Sequence, residues 1–446
     1  MRVATGRPRV SGTPPQSTSL NWSRETSLTR SFLAPHFTLT LAVLAFGSVS
    51  AHGFSQVTHE QLIDILWVDS IRPLLLERYP GTTEAALTRA HAFAYGGCLI
   101  QDIGYYPFGK TFFSELAHYV RSGDFVASML HNARNVDELA FAVGALSHYV
   151  GDSIGHSEAV NSATALMFPD LEAKFGPVVR YEDAPVAHAR TEFGFDVTQT
   201  AWQRYAPRAY RKSIGFQVAR RLLYRTFQEV YGVRAGGILG PARSALPTYH
   251  WAVASLLPAF LRAQVVLLGG RLPVERSDDA QRQFLAHISH AEYATKWRNA
   301  YSKPGIRSHL FAFVILMVPK LGRLKALSIK SPTTETEDLF LQSVNDAVET
   351  FRTLLADLRR HPGIQLKNVD LDTGKTVAPG ESEIVDRAHA ELLMRIIKEK
   401  IPHWGSIRNY LLLYYSDPTH SPHSRSDPQE SRRLAEAIRI LRAGER

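Results

Sequence analysis

Ala145–Asn161 reads ALSHYVGDSIGHSEAVN, and within it His148, Asp152 and His156 recur at i, i+4 and i+8 inside a helical pattern. At about 100° per residue each four-residue step drifts by only about 40°, so the three side chains leave the helix along one stripe. An imidazole, a carboxylate and a second imidazole in line make a metal-binding face. Both donor types suit Zn²⁺, and a carboxylate between two histidines can give one oxygen to each of two ions. Gly151 and Gly155, also four apart, would admit a second helix closely.

Downstream, His188 and Glu192 in Ala187–Phe193 (AHARTEF) repeat the i, i+4 spacing. Alone this pair is also a common solvated ion pair; downstream of the triple it completes a site. Upstream, His118 lies in Glu115–Arg121 (ELAHYVR), on a helix whose apolar face is Phe113, Leu116 and Val120. Asp102 belongs to Gln101–Pro107 (QDIGYYP), a loop between helices where a carboxylate can project into a cleft or form a turn. His59, on the first long helix, and His52 complete the set of candidates.

The surrounding chain is helical in pattern almost throughout. Apolar periodicity predicts helices near 57–79, 84–95, 110–121, 124–133, 136–159, 214–232, 245–270, 274–302, 334–360, 382–401 and 427–442, broken at Pro- and Gly-containing points. Only 363–378, ending in Asp372-Thr373-Gly374, hints at a short hairpin. The fold expected is all-α. His309–Val318 (HLFAFVILMV) is too short to span a bilayer and reads as a buried core helix rather than a lipid-contacting one. No transmembrane span is expected in the mature chain.

Of 446 residues, 45% are hydrophobic and 21% charged, an ordinary globular balance that excludes a disordered or collagen-like chain. The single cysteine, Cys98, excludes an internal disulfide and a cysteine zinc finger, and reads as a small buried residue. The formal charge is +9, of which residues 1–51 supply +4, so the remainder lacks the basic stripe of a dedicated nucleic-acid binder. Phe37–Gly47 (FTLTLAVLAFG) fits the apolar core of a secretory signal, with cleavage after Ala51 leaving His52 as the amino terminus.

In order and spacing, His52, His59, Asp102, His118, His148-xxx-Asp152-xxx-His156 and His188-xxx-Glu192 resemble the zinc-dependent phospholipase C family, whose structural relatives are the S1/P1-type nucleases. The resemblance covers roughly residues 52–195. It implies a phospholipase C/P1 nuclease-like helical core, with the later residues as additional C-terminal helices. The organisation expected is a leader over 1–51, a core over 52–235 and a helical extension over 236–446.

The resemblance further implies two to three Zn²⁺ ions. Asp102, His118, His148 and Asp152 would form a first site, and His156, His188 and Glu192 a second. His59, a bridging Asp152 and the terminal amine and carbonyl of His52 would form a third. The four-residue gap from Asp152 to His156 is shorter than in many relatives, so the second site is expected to be arranged differently. By the same resemblance Asp102 orients or deprotonates the attacking water. The activity expected is phospholipid hydrolysis to diacylglycerol and a phosphorylated headgroup by an exported enzyme with possible membrane-surface contact. The alternatives are a single-strand nuclease, for which Tyr105, Tyr106, Phe108, Phe112, Phe113 and Tyr119 beside Lys110 and Arg121 would stack bases, and a non-catalytic lipid-binding protein stabilised by metal.

Overall fold

The computed structural model describes residues 55–240, 242–269, 278–399, 405–416 and 428–443. Every regular element among them is helical. Helix α1 (Gln56–Leu66) passes through a π turn (Trp67–Ile71) into α2 (Arg72–Arg78), followed by α3 (Glu84–Gly97), α4 (Thr111–Tyr119), α5 (Ser122–Asn132) and α6 (Val136–Gly155). A second π turn (His156–Val160) carries α6 into α7 (Asn161–Met167), and α8 (Pro169–Phe175), α9 (Pro185–Ala201), α10 (Arg208–Ile214), α11 (Arg220–Tyr231) and α12 (Ala235–Ile238) follow. The later helices are α13 (Ala242–Trp251), α14 (Leu257–Leu268), α15 (Asp279–Ser289), α16 (Glu292–Lys296), α17 (Ile306–Met317), α18 (Thr334–Arg360), α19 (Glu383–Lys398), α20 (Gly405–Tyr414) and α21 (Pro428–Ala443).

Helix α6 is the axis of the bundle. Asn135 caps it, its side-chain oxygen accepting from the Glu138 amide at 2.9 Å, while Asp137 and Glu138 sit in the first turn where the helix dipole favours negative charge. From Leu139 to Asp152 every residue is buried, so neighbours press on it from all sides. The contact with α3 is a backbone-to-backbone approach: a Cβ at Gly97 would come 1.9 Å from the Phe141 carbonyl oxygen, and one at Gly144 would come 2.1 Å from that of Ala94. On another side Gly151 lets α1 in, since a Cβ there would lie 3.1 Å from His59 Nδ1.

The later helices close the other faces. Helix α18, whose start carries a capping box at Thr333 and Thr336, packs on α6 and, by stacking Phe340 on Phe195 at 4.4 Å, on α9. One hydrophobic core runs through the described residues from Val57 to Leu441, shared by helices before and after residue 235. The continuous helical stretch Ser244–Leu268 is long and apolar enough to cross a membrane, with a mean hydropathy of 1.7, but half of it is buried, and Phe260 meets Phe193 of α9 edge-on at 5.5 Å.

Two expectations from sequence fail here. The segment 363–378 forms no hairpin strands; the only ladder contact is an isolated bridge between Asp370 and Lys375. Helix α17 is not a buried core helix: only Ala312 and Ile315 are buried, on the side facing α14, whereas Ile306, Leu310, Phe313, Leu316 and Met317 are exposed by 59% to 86%. Its uniform apolarity hid which side would find a partner. The leader and His52 lie outside the described residues.

Candidate metal centre

Helix α6 presents His148 and Asp152 one turn apart, both fully buried. A short 3₁₀ turn (Gln101–Tyr105) brings Asp102 alongside, pinned to α6 by Gln101 Nε2 donating to the Ala145 carbonyl at 2.9 Å. Helix α4 adds His118, whose Nε2 stands 3.2 Å from His148 Nε2. His118 Nε2 is also 3.4 Å from Asp102 Oδ1 and 3.2 Å from Asp152 Oδ2, and His148 Nε2 is 3.0 Å from that same Asp152 oxygen. The other oxygen, Asp152 Oδ1, faces His59 Nε2 on α1 at 3.1 Å. One carboxylate thus divides its oxygens between two groups of donors.

The proton positions follow from the outer contacts. His118 Nδ1 lies 2.8 Å from the Ser114 carbonyl oxygen and His148 Nδ1 lies 3.0 Å from that of Cys98. A carbonyl only accepts, so each Nδ1 carries the hydrogen and, in the neutral ring, each Nε2 turns a lone pair inward. Lone pairs of two imidazoles and two carboxylates facing one another repel unless a cation lies among them. Tetrahedral zinc with nitrogen and oxygen donors at about 2.0–2.2 Å sets neighbouring donors about 3.3 Å apart, close to the spacing found.

A second cluster forms one turn further along. At His156 the helix widens, the Asn161 amide bonding the carbonyl of His156 five residues back. Such π turns recur at functional sites. Here the turn begins where the stripe needs a different direction. The His156 ring stacks on that of His188 with centroids 5.2 Å apart. Helix α9, opened by Pro185, supplies His188 and Glu192, with His188 Nδ1 3.2 Å from Glu192 Oε1. His188 Nε2 lies 2.9 Å from both Asn161 Oδ1 and the Val179 carbonyl, so Nε2 holds the hydrogen and, in the neutral ring, Nδ1 turns its lone pair toward Glu192. The donor atoms of His156, His188 and Glu192 all fall within 4.8 Å of one another, as do those of Asp102, His118 and His148, and those of His59, His148 and Asp152.

Sequence reasoning missed three supporting residues. Asp196, one turn beyond Glu192, accepts hydrogen bonds from the Val57 amide at 2.9 Å and from the hydroxyls of Ser55 at 2.5 Å and Thr58 at 2.7 Å, which fixes the start of α1 and with it His59. Its i, i+4, i+8 relation to His188 and Glu192 was a usable signal. Asn161 supports the His188 ring. Asp372 approaches from the far end of the chain, its Oδ1 3.5 Å from His156 Nε2, and nothing local in the sequence marks it except the turn chemistry of 370–374.

Charge and burial divide the centre. Burial alone pulls His118 and His148 down, but the carboxylates of Asp102 and Asp152 beside them outweigh it and hold both above the usual imidazole range. Asp152, despite burial, is held well below the usual carboxylate range by His148, His118 and His59. In the second cluster burial prevails: His156 is pushed well down, His188 to about 4, and Glu192 well up. Both Asp152 oxygens, Asp102 Oδ1, both His156 nitrogens, Glu192 Oε2 and Asp372 Oδ1 are buried with no hydrogen-bond partner. So many orphaned polar atoms in one place, most of them acceptors, cost free energy that a cation would offset, and the ligand set fits zinc.

A cavity of about 510 Å³ adjoins the centre. Tyr105 and Tyr181 form part of its wall, and their rings lie 6.0 Å from those of His118 and His188 respectively. Arg180, Arg323 and Arg387 line it together with several carboxylates.

Residues 58–237 match the family model described as zinc-dependent phospholipase C. Over that segment the chain is similar to the zinc-dependent phospholipase C family, a likeness that implies zinc-dependent phosphoric diester hydrolysis. No curated protein and no solved structure matches the chain.

Proposed function

We propose that this is an exported phospholipase C that binds two to three zinc ions and cleaves phospholipids on the glycerol side of the phosphate. The donors would be Asp102, His118, His148 and Asp152 for one ion and His156, His188 and Glu192 for another, with His59, Asp152 and the processed amino terminus at His52 for a third. Export rests on the apolar run Phe37–Gly47 and a cut after Ala51, with a core over 52–235 and a helical extension over 236–446.

When bound, zinc lowers the pKa of coordinated water and neutralises charge on the phosphodiester. The protein's part is positional. Ser114 and Cys98 carbonyls lock the His118 and His148 rings. Asp102, whose side chain is 11% exposed where the other first-cluster side chains are sealed, can accept a hydrogen bond from the attacking water and take its proton. The mixed charges of the adjoining cavity suit a zwitterionic headgroup.

The observation that favours lipid is α17. On a helical wheel Ile306, Leu310, Phe313 and Met317 fall within an arc of about 60°. They form an exposed apolar stripe, extended by Leu321, with Arg307, Lys320, Arg323 and Lys325 at its ends. An apolar face flanked by cations is the pattern of an element that lies in a bilayer interface carrying anionic lipid. The chain leaving this helix runs into the cavity wall at Arg323. Base stacking finds less support: Tyr105, Tyr106, Phe112, Phe113 and Tyr119 are buried, and of that set only Phe108 is exposed. A non-catalytic role is disfavoured by Asp102, present and positioned beside the two imidazoles.

The test pairs substrate and interface. Wild-type protein should hydrolyse phosphatidylcholine in vesicles, with binding increased by anionic lipid, and should leave single-stranded DNA intact. The double variant Leu310→Glu/Phe313→Glu should lose at least about tenfold in vesicle binding and hydrolysis, since burying two apolar side chains is worth a few kcal/mol, yet keep its turnover of a soluble short-chain phosphodiester. DNA cleavage without lipid hydrolysis would reverse the assignment, and turnover of neither would favour the non-catalytic reading.

A further inference from the structure

We propose that Asp372 is a further ligand of the second metal site, joining His156, His188 and Glu192; this rests on the reading of that cluster as a zinc site. Asp372 lies outside residues 58–237, so the family match does not predict it.

The loop that carries it is built to aim one oxygen. Asp370 Oδ1 accepts from the Asp372 amide at 2.8 Å, the Asp370 carbonyl accepts from the Gly374 amide at 2.8 Å, and the Asp370 amide donates to the Lys375 carbonyl at 2.9 Å, closing a tight turn. Gly374 takes φ +66°, and a Cβ there would sit 2.7 Å from the Ser153 carbonyl oxygen, so the turn is pressed directly onto α6 between Asp152 and His156. Three contacts then tie it to the centre. The Leu371 amide donates to the His118 carbonyl at 3.2 Å, and Asn161 Nδ2 donates to the Asp372 carbonyl at 2.9 Å while Asn161 Oδ1 holds His188. The Tyr119 hydroxyl donates to Asp372 Oδ2 at 2.9 Å.

That last bond occupies one carboxylate oxygen and leaves Oδ1, buried and without a hydrogen-bond partner, 3.5 Å from His156 Nε2. The His156 nitrogens are likewise buried and make no hydrogen bond. Two donors sharing a tetrahedral zinc stand about 3.3 Å apart, which matches this pair. Two imidazoles and two carboxylates would then fill a four-donor shell and neutralise the ion.

The experiment uses the full secreted chain, with zinc equivalents counted after dialysis and affinities read by competition with a chromophoric chelator. Asp372→Asn should lose one equivalent, or bind it at least about a hundredfold more weakly, and keep the others. Tyr119→Phe, which only frees the carboxylate, should keep all equivalents with one bound up to about tenfold more weakly. In chelator-stripped protein Asp372→Asn should melt with wild type, and the rise in Tm on adding zinc should be smaller. Unchanged stoichiometry and affinity in Asp372→Asn would overturn the proposal, as would an equal loss of Tm with and without zinc. Wild-type protein that holds no zinc would instead overturn the reading of the whole centre.

Discussion

The two clusters sit one helical turn apart along the same helix, yet they are held by different means. In the first, the His118 and His148 rings are keyed by carbonyls of Ser114 and Cys98, and Asp102 arrives on a turn fastened to α6 itself. In the second, the His156 ring makes no hydrogen bond, His188 leans on Asn161, and the approaching carboxylate at Asp372 comes from a turn near the other end of the chain. The first is shaped by helices adjacent in sequence. The second depends on tertiary closure, so it should be the one that distant substitutions disturb.

The substitution with the largest expected effect removes what the clusters share. Asp152→Asn puts an amide where one oxygen faces His59 and the other His118 and His148. A neutral amide bridges poorly and leaves its buried partners unmatched. Phosphodiester turnover should fall by about a thousandfold or more, with more than one zinc equivalent lost by metal analysis. Loss of a single equivalent would mean that the carboxylate serves one ion only.

A smaller effect distinguishes the clusters by pH. In metal-free protein His188 is held at about 4 by burial, below the ordinary value of 6.5. The unfolded chain therefore binds the extra proton first, and stability from this group is complete above about 6.5 and declines as pH falls toward 4, by about 3 kcal/mol in all. His118 and His148 are raised and act in the opposite sense: their contribution is present below the ordinary imidazole value and is lost as pH rises through their folded values. Thermal melts of chelator-stripped protein between pH 4 and pH 8 should show His188→Gln flattening the acid limb and His148→Gln the alkaline one. Identical profiles for the two variants would erase the distinction.

How far the sequence alone was readable follows the same division. The amphipathic helix 334–360 was placed to the residue, and the stripe on α6 declared itself because three ligating residue types fell on a single helical face. Helix 185–201 left no clear periodicity because Ala187–Gln199 is buried on nearly every side, and the described part of the helix expected over 274–302 is three helical pieces. In α17 the residues are apolar all round, so only the packing of neighbours decided that Ala312 and Ile315 go in and Phe313 stays out. Asp372 has no partner at helical spacing, and its significance appears only when the turn at 370–374 is set against α6.

If residues from both clusters hold metal, counting zinc is the most direct way to see it. Purified protein, dialysed against metal-free buffer and analysed for metal per chain, should retain at least two zinc equivalents, and a third if His52 is the processed terminus. Fewer than one equivalent, with none regained on adding zinc, would contradict the account.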